Sequence, residues 1–104
     1  MKLIILSRIG LIYDMKNDIK KDLSEDEYEY FKYEFLTNGD IVAYCNRVIV
    51  IYSHSDNWKC RAKYKLKNVD KISDILTNNK LLVSVNEVVL ILDLQYLRFN
   101  IGKS

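Results

Sequence analysis

Apolar and polar positions along this chain alternate in short runs, with the two-residue period of half-buried β-strands. The runs come in pairs. Residues 2–6 and 9–13, 41–45 and 48–52, and 81–85 and 88–92 read as three hairpins, turning at Ser7-Arg8, Asn46-Arg47 and Asn86-Glu87. Two-residue turns of this kind favour the primed types, which need positive φ, and Asn tolerates that best after Gly. The pairs also repeat in sequence. Leu36 to Tyr52 lies over Leu76 to Leu92 without a gap at an offset of 40, and Leu6 to Tyr13 lies over Cys45 to Tyr52 at an offset of 39. A period near 40 residues that carries paired strands marks a repeated β-sheet unit, here spanning 1–29, 30–68 and 69–104 within one domain.

Each hairpin has further strand candidates around it. From Trp58 to Lys67 the residues Trp58, Cys60, Ala62, Tyr64 and Leu66 alternate with Lys59, Arg61, Lys63, Lys65 and Lys67, which predicts one buried and one basic face. Residues 95–101 take the same part after the third hairpin. Residues 28–36 and 69–76 precede the second and third hairpins, and both end at Leu-Thr-Asn. The chain then reads as three strands, four strands and four strands. Two stretches also admit a helix. Met15, Ile19 and Leu23 are spaced four apart, and Ser24-Glu25-Asp26-Glu27 is a capping-box pattern, so a short helix near 15–23 is one reading of residues 14–35. Residues 68–76 admit another, with Asn68 as its N-cap.

Composition narrows the class. The 104 residues are nearly half apolar and carry a net charge of +2, which argues against disorder and neither demands nor excludes a polyanionic partner. The apolar runs are about strand length and far too short to span a bilayer, and Arg8 interrupts the signal-like opening Leu3-Ile4-Ile5-Leu6. The two cysteines, Cys45 and Cys60, lack the spacing of a disulfide framework or a metal motif. Together with the absence of a glycosylation sequon, they favour an intracellular, cytoplasmic setting.

At the third repeat the pattern acquires a family likeness. Lys71 to Lys80, Leu81 to Val85 and Val88 to Asp93 resemble a blade of a WD-repeat-type β-propeller, in which an inner strand leads through a polar turn into a hairpin closed by an aromatic-Asp pair. The closing pairs here are Tyr13-Asp14, Tyr52-Ser53 and Leu92-Asp93. The Trp-Asp dipeptide and the opening Gly-His pair are absent, and the resemblance covers residues 30–95 in pattern. It implies an all-β protein of antiparallel four-stranded propeller-type blades, two complete plus one partial. Propellers close with about four to eight blades, so a short stack leaves two apolar faces uncovered. Two copies would complete a six-bladed ring, a partner protein would supply the missing blades, or the chain would close as a small sandwich or barrel. Completion by a homodimer is the first expectation.

Candidate chemistry is sparse. The basic residues Lys59, Arg61, Lys63, Lys65 and Lys67 would track a polyanion or nucleic acid, because alternate strand residues lie about 6.8 Å apart, near the spacing of successive phosphates. The competing reading is that lysines on an outer strand block edge-to-edge aggregation. Tyr28, Tyr30, Phe31, Tyr33 and Phe35 crowd one segment and, with Trp58, offer rings for a protein partner or, in a small lectin-like oligomer, for sugars. Trp58 reads first as an anchor between sheets. His54-Ser55-Asp56 has the letters of a hydrolase triad, but neighbours in one loop cannot align as nucleophile, base and orienter. One histidine and two separated cysteines complete no zinc site, and three isolated glycines build no phosphate loop. The reading is a non-enzymatic protein–protein interaction module or scaffold without cofactor or metal. Its alternatives are the polyanion-binding and lectin-like proteins.

Overall fold

Three antiparallel sheets follow one another along the chain, in a computed structural model that describes residues 4–23, 29–76 and 78–95. Sheet 1 contains β1 (Ile4–Leu6), β2 (Leu11–Asp14) and β3 (Ile19–Asp22), in chain order. Sheet 2 contains β4 (Lys32–Phe35), β5 (Ile41–Tyr44), β6 (Val48–Ser53) and β7 (Lys59–Lys65). Sheet 3 contains β8 (Val69–Ile72), β9 (Lys80–Val85) and β10 (Val88–Asp93). The protein is therefore all-β, as the alternation predicts. The expected fourth strand of sheet 3, residues 95–101, lies outside the described residues beyond Gln95.

The turns show how far the repeat extends. Leu36 N–H donates to the Asp40 carbonyl at 2.7 Å and Gly39 N–H to the Leu36 carbonyl at 3.0 Å; Leu76, Lys80 and Asn79 repeat this at 2.8 and 3.1 Å. Gly39 (φ 93) and Asn79 (φ 63) are left-handed, so each is a three-residue loop whose third residue must tolerate positive φ. The 40-residue offset is thus a structural repeat.

The first copy is placed differently from its sequence match. Ser7 N–H donates to the Leu11 carbonyl at 2.9 Å and Gly10 N–H to the Ser7 carbonyl at 3.2 Å, with Gly10 at φ 87. The turn is therefore the three-residue Arg8-Ile9-Gly10 and not the pair Ser7-Arg8. Gly10 stands where Gly39 and Asn79 stand, which makes β2 the counterpart of β5, at an offset of 39 − 10 = 29, and not of β6. Among the other two turns, Asn86 (φ 50) and Glu87 (φ 68) take the expected primed geometry, whereas Asn46-Arg47 joins its strands without positive φ.

Both helical alternatives give way to strands. Residues 15–18 form a turn, because the Asp14 carboxylate accepts the N–H groups of Lys16 (3.1 Å) and Asn17 (3.3 Å) and the Asn17 side chain (2.8 Å). β3 follows directly. Asn68 is left-handed at φ 56 and so precedes β8 and not a helix. Residues 24–28, including most of the capping-box pattern, lie outside the described residues.

Sheet 2 is the middle layer. Every residue of β5 and β6 is buried, because the sheet is apolar on both faces. One face (Ile41, Ala43, Val48, Val50, Tyr52) meets Ile12 and Leu23 of the first repeat, with Trp58 in the same cluster. The other (Val42, Tyr44, Ile49, Ile51, Ala62) meets Leu81, Val83 and Leu94 of the third.

The repeat allows the faces to be compared. Ile12, Ile41 and Leu81 each follow the left-handed turn residue by two positions, so they mark the same face of each sheet, called here the leading face. Sheets 1 and 2 meet leading face to leading face, whereas sheet 3 lays its leading face on the opposite, trailing face of sheet 2. Successive propeller blades are related by one rotation. The step from sheet 2 to sheet 3 has that form and the step from sheet 1 to sheet 2 does not. A six-bladed ring of two copies would need both.

Candidate functional site

β7 carries the alternating basic pattern, but one residue breaks it in space. Tyr52 pairs with Cys60 and Ile51 with Ala62, which leaves Arg61 as an extra residue in a β-bulge. The bulge reverses the facing of everything before it. Trp58 and Cys60 pack with the cluster toward sheet 1, and Ala62, Tyr64 and Leu66 with the cluster toward sheet 3. By register Lys63 and Lys65 share the side of Val50 and Val48, Lys59 lies opposite, and Lys67 follows the end of the strand. Lys59, Arg61, Lys63, Lys65 and Lys67 therefore do not form one basic face.

Arg61 is instead part of a part-buried polar cluster around the buried Asp40. Its Nε donates to Asp40 Oδ2 at 2.7 Å and its Nη2 to the Leu94 carbonyl at 3.4 Å. Asp40 Oδ1 accepts the backbone N–H of His54 at 3.0 Å and lies 2.7 Å from His54 Nδ1, while Asn38 Nδ2 donates to Oδ2 at 3.2 Å. Burial is the largest single influence on the Asp40 pKa and raises it. The hydrogen bonds from His54 and Arg61 together outweigh burial, so the carboxyl titrates below the usual carboxylate value. The partner of His54 is thus Asp40 and not its neighbour Asp56. An Asp–His pair is the orienting half of a triad. Here the second Asp40 oxygen is taken by Arg61, and the cluster joins the β4–β5 turn, the 3-10 turn His54–Asp56 and the bulge of β7. It works as a latch at one end of sheet 2.

The loop beyond the latch is strained and held from sheet 1. Asn57 (φ 52) and Trp58 (φ 64) are both left-handed, which for a bulky side chain costs about 1–3 kcal/mol. Trp58 N–H donates to the Ser53 carbonyl at 2.8 Å, and Lys21 Nζ donates to the carbonyls of Asn57 and Trp58 at 3.2 and 3.1 Å. The Trp58 side chain is buried between the first two sheets, 2 % exposed, so it anchors them and presents no ring to a partner. Tyr30 and Tyr33 form an edge-to-face pair with centroids 5.6 Å apart, half-buried against the same cluster. Tyr28 lies outside the described residues.

Phe31 (61 % exposed) and Phe35, in the same segment as the Tyr30–Tyr33 pair, are open, and further apolar surface lies on the trailing faces of the two outer sheets. On sheet 1, Ile5 (56 % exposed) and Leu11 line a shallow depression of about 510 Å³ with Tyr13 and Lys20, whose ammonium stands 5.2 Å from the centre of the Tyr13 ring. On sheet 3, Val89 and Ile91 are 61 % and 65 % exposed, and Leu82 and Ser84 lie on the same face beside Lys71 and Ser73. Val88 and Leu90 are exposed on the opposite face, so β10 is open on both sides. Its counterpart β6 is buried throughout. The alternation that found β10 held no sign of this, because an uncharged strand reads the same covered or bare.

Among the described residues no three His, Cys, Asp or Glu side chains gather into a metal site, and no helix is long and apolar enough to cross a membrane. No family model matches the chain, and no curated protein or solved structure is significantly similar to it.

Proposed function

We propose that the protein is a non-enzymatic interaction module, a small scaffold of blade-like sheets whose outer faces bury against another protein surface, either a second copy or a different chain. The observation that carries this reading is the bare apolar face of sheet 3, Val89 and Ile91, on a sheet whose counterpart is covered on both sides. Exposed aliphatic side chains clustered on a flat sheet are costly in water and are a common mark of a docking surface. The polar latch at Asp40 supports the same reading, since its hydrogen bonds stabilise the scaffold. Neither Cys45 nor Cys60 is in a disulfide, which fits an intracellular setting.

The test is hydrophobic-dye binding together with light scattering over a dilution series. The chain is expected to bind the dye or to exceed its single-chain mass at high concentration. Lysine at Ile5, Val89 and Ile91 is expected to abolish both without moving the thermal midpoint. A chain that neither binds dye nor associates at any concentration would refute the reading.

A further inference from the structure

The interface between sheets 2 and 3 is built by a relation that the chain has not exhausted. The trailing face of sheet 2 (Val42, Tyr44, Ile49, Ile51) is completely covered by the leading face of sheet 3, through Leu81, Val83 and Leu94. Forty residues on, the same positions of sheet 3 are Leu82, Ser84, Val89 and Ile91, three of them still aliphatic. The contact at the turns is also specific. Asn79 accepts the Thr37 N–H at 3.0 Å through Oδ1 and donates to Thr37 Oγ1 at 2.6 Å through Nδ2. Forty residues after Thr37 the sequence again has a threonine, Thr77.

We infer that the trailing face of sheet 3 is an elongation face, which takes the leading face of one more sheet of this repeat, carried by a partner protein. The reading rests on the interaction function proposed above and names the partner's chemistry: a turn with a left-handed Asn, followed by an aliphatic residue two positions later. A second copy of this chain is a poor fit, because its leading faces are engaged within the molecule, two against each other and the third against sheet 2 through Leu81 and Val83, which leaves Val88 and Leu90 of β10 as the exposed part of that third face. Sheet 1 also turns its leading face inward, and its outer face sets Lys20 and Asp22 beside Ile5 and Leu11.

The test supplies the missing sheet. The full chain is extended at Ser104 by a four-residue Gly-Ser linker and a second copy of residues 69–104, which restores the 40-residue spacing since 104 + 4 + 1 = 69 + 40. The added sheet is expected to unfold in the same cooperative transition as the rest, and Leu82, Val89 and Ile91 to gain hydrogen-exchange protection. Ile91→Lys should leave the midpoint of the 104-residue chain unchanged and lower that of the extended chain. An added sheet that stays protease-sensitive, or a midpoint indifferent to Ile91→Lys in both chains, would overturn the inference. So would a dimer of the 104-residue chain that Ile91→Lys dissolves; that result would leave the interaction function standing with a second copy as partner.

Discussion

Replacing Asp40 by Asn removes one charge and changes almost no volume, so it isolates what the latch contributes. The carboxylate takes the His54 backbone N–H at 3.0 Å, the His54 ring at 2.7 Å and Arg61 Nε at 2.7 Å. The amide keeps one oxygen for the His54 side. On the Arg61 side it presents an N–H to an N–H, and the guanidinium Nε loses its carboxylate acceptor while Nη2 keeps the Leu94 carbonyl. Hydrogen bonds to a charged group contribute about 1.5–3 kcal/mol, and the half-buried Arg61 is left without that partner, so the expected loss is about 3 kcal/mol. In a domain of this size that corresponds to a fall in Tm of roughly 12–20 °C. Urea unfolding followed by Trp58 fluorescence measures it directly, with an unchanged slope showing that the folded state is otherwise intact. A pH series adds a sign. The Asp40 pKa is lowered in the folded state, so its contribution is present above the unfolded value of about 3.9 and is lost as pH falls through the lower folded value. The gap between wild type and variant should be present at neutral pH and close as pH falls below about 4. A loss under about 0.5 kcal/mol, or a gap that persists at acid pH, would refute the latch.

Two further substitutions probe the turns. Gly10→Ala places a Cβ 2.6 Å from the Tyr33 ring at a φ of 87, so it should cost about 3 kcal/mol, part of it recovered in a Tyr33→Leu background; an equal cost in both backgrounds would mean that backbone strain alone is responsible. Asn79→Gly keeps the left-handed turn and loses only the two bonds to Thr37, so chemical unfolding should show a loss of about 1–2 kcal/mol, whereas Asn79→Ala adds the cost of its φ of 63 and should lose more. Equal stability of the two variants would count against a left-handed requirement at this position.

The relation between β2 and its repeat partner shows where reading the sequence stops. Leu6 to Tyr13 resembles Cys45 to Tyr52 residue by residue, because a run of aliphatics ending in Tyr suits either side of a hairpin. The turn hydrogen bonds of Ser7 and Gly10 decide the matter, and they match Leu36 and Gly39 instead. The Asp40 latch was hidden for a different reason. Its members are 14 and 21 residues away, and spacing in sequence holds no signal for a carboxylate that meets a bulge across two strands.

The sequence by itself determined the strands of the second and third hairpins, the 40-residue repeat and the positive-φ turn at Asn86-Glu87, since period-two alternation and the conformational freedom of Asn act over a few residues. It equally determined that β7 is a strand. Only the tertiary structure decided that Arg61 would bulge and divide the basic residues between two faces, because the extra residue is defined by its partner strand β6. Packing also decided which face of each sheet meets which neighbour. Sheet 2 is apolar on both sides, so its pattern allows either face to take either partner. The fit of Leu23 and Trp58 on one side, and of Leu94 and the Asn79–Thr37 pair on the other, makes the choice.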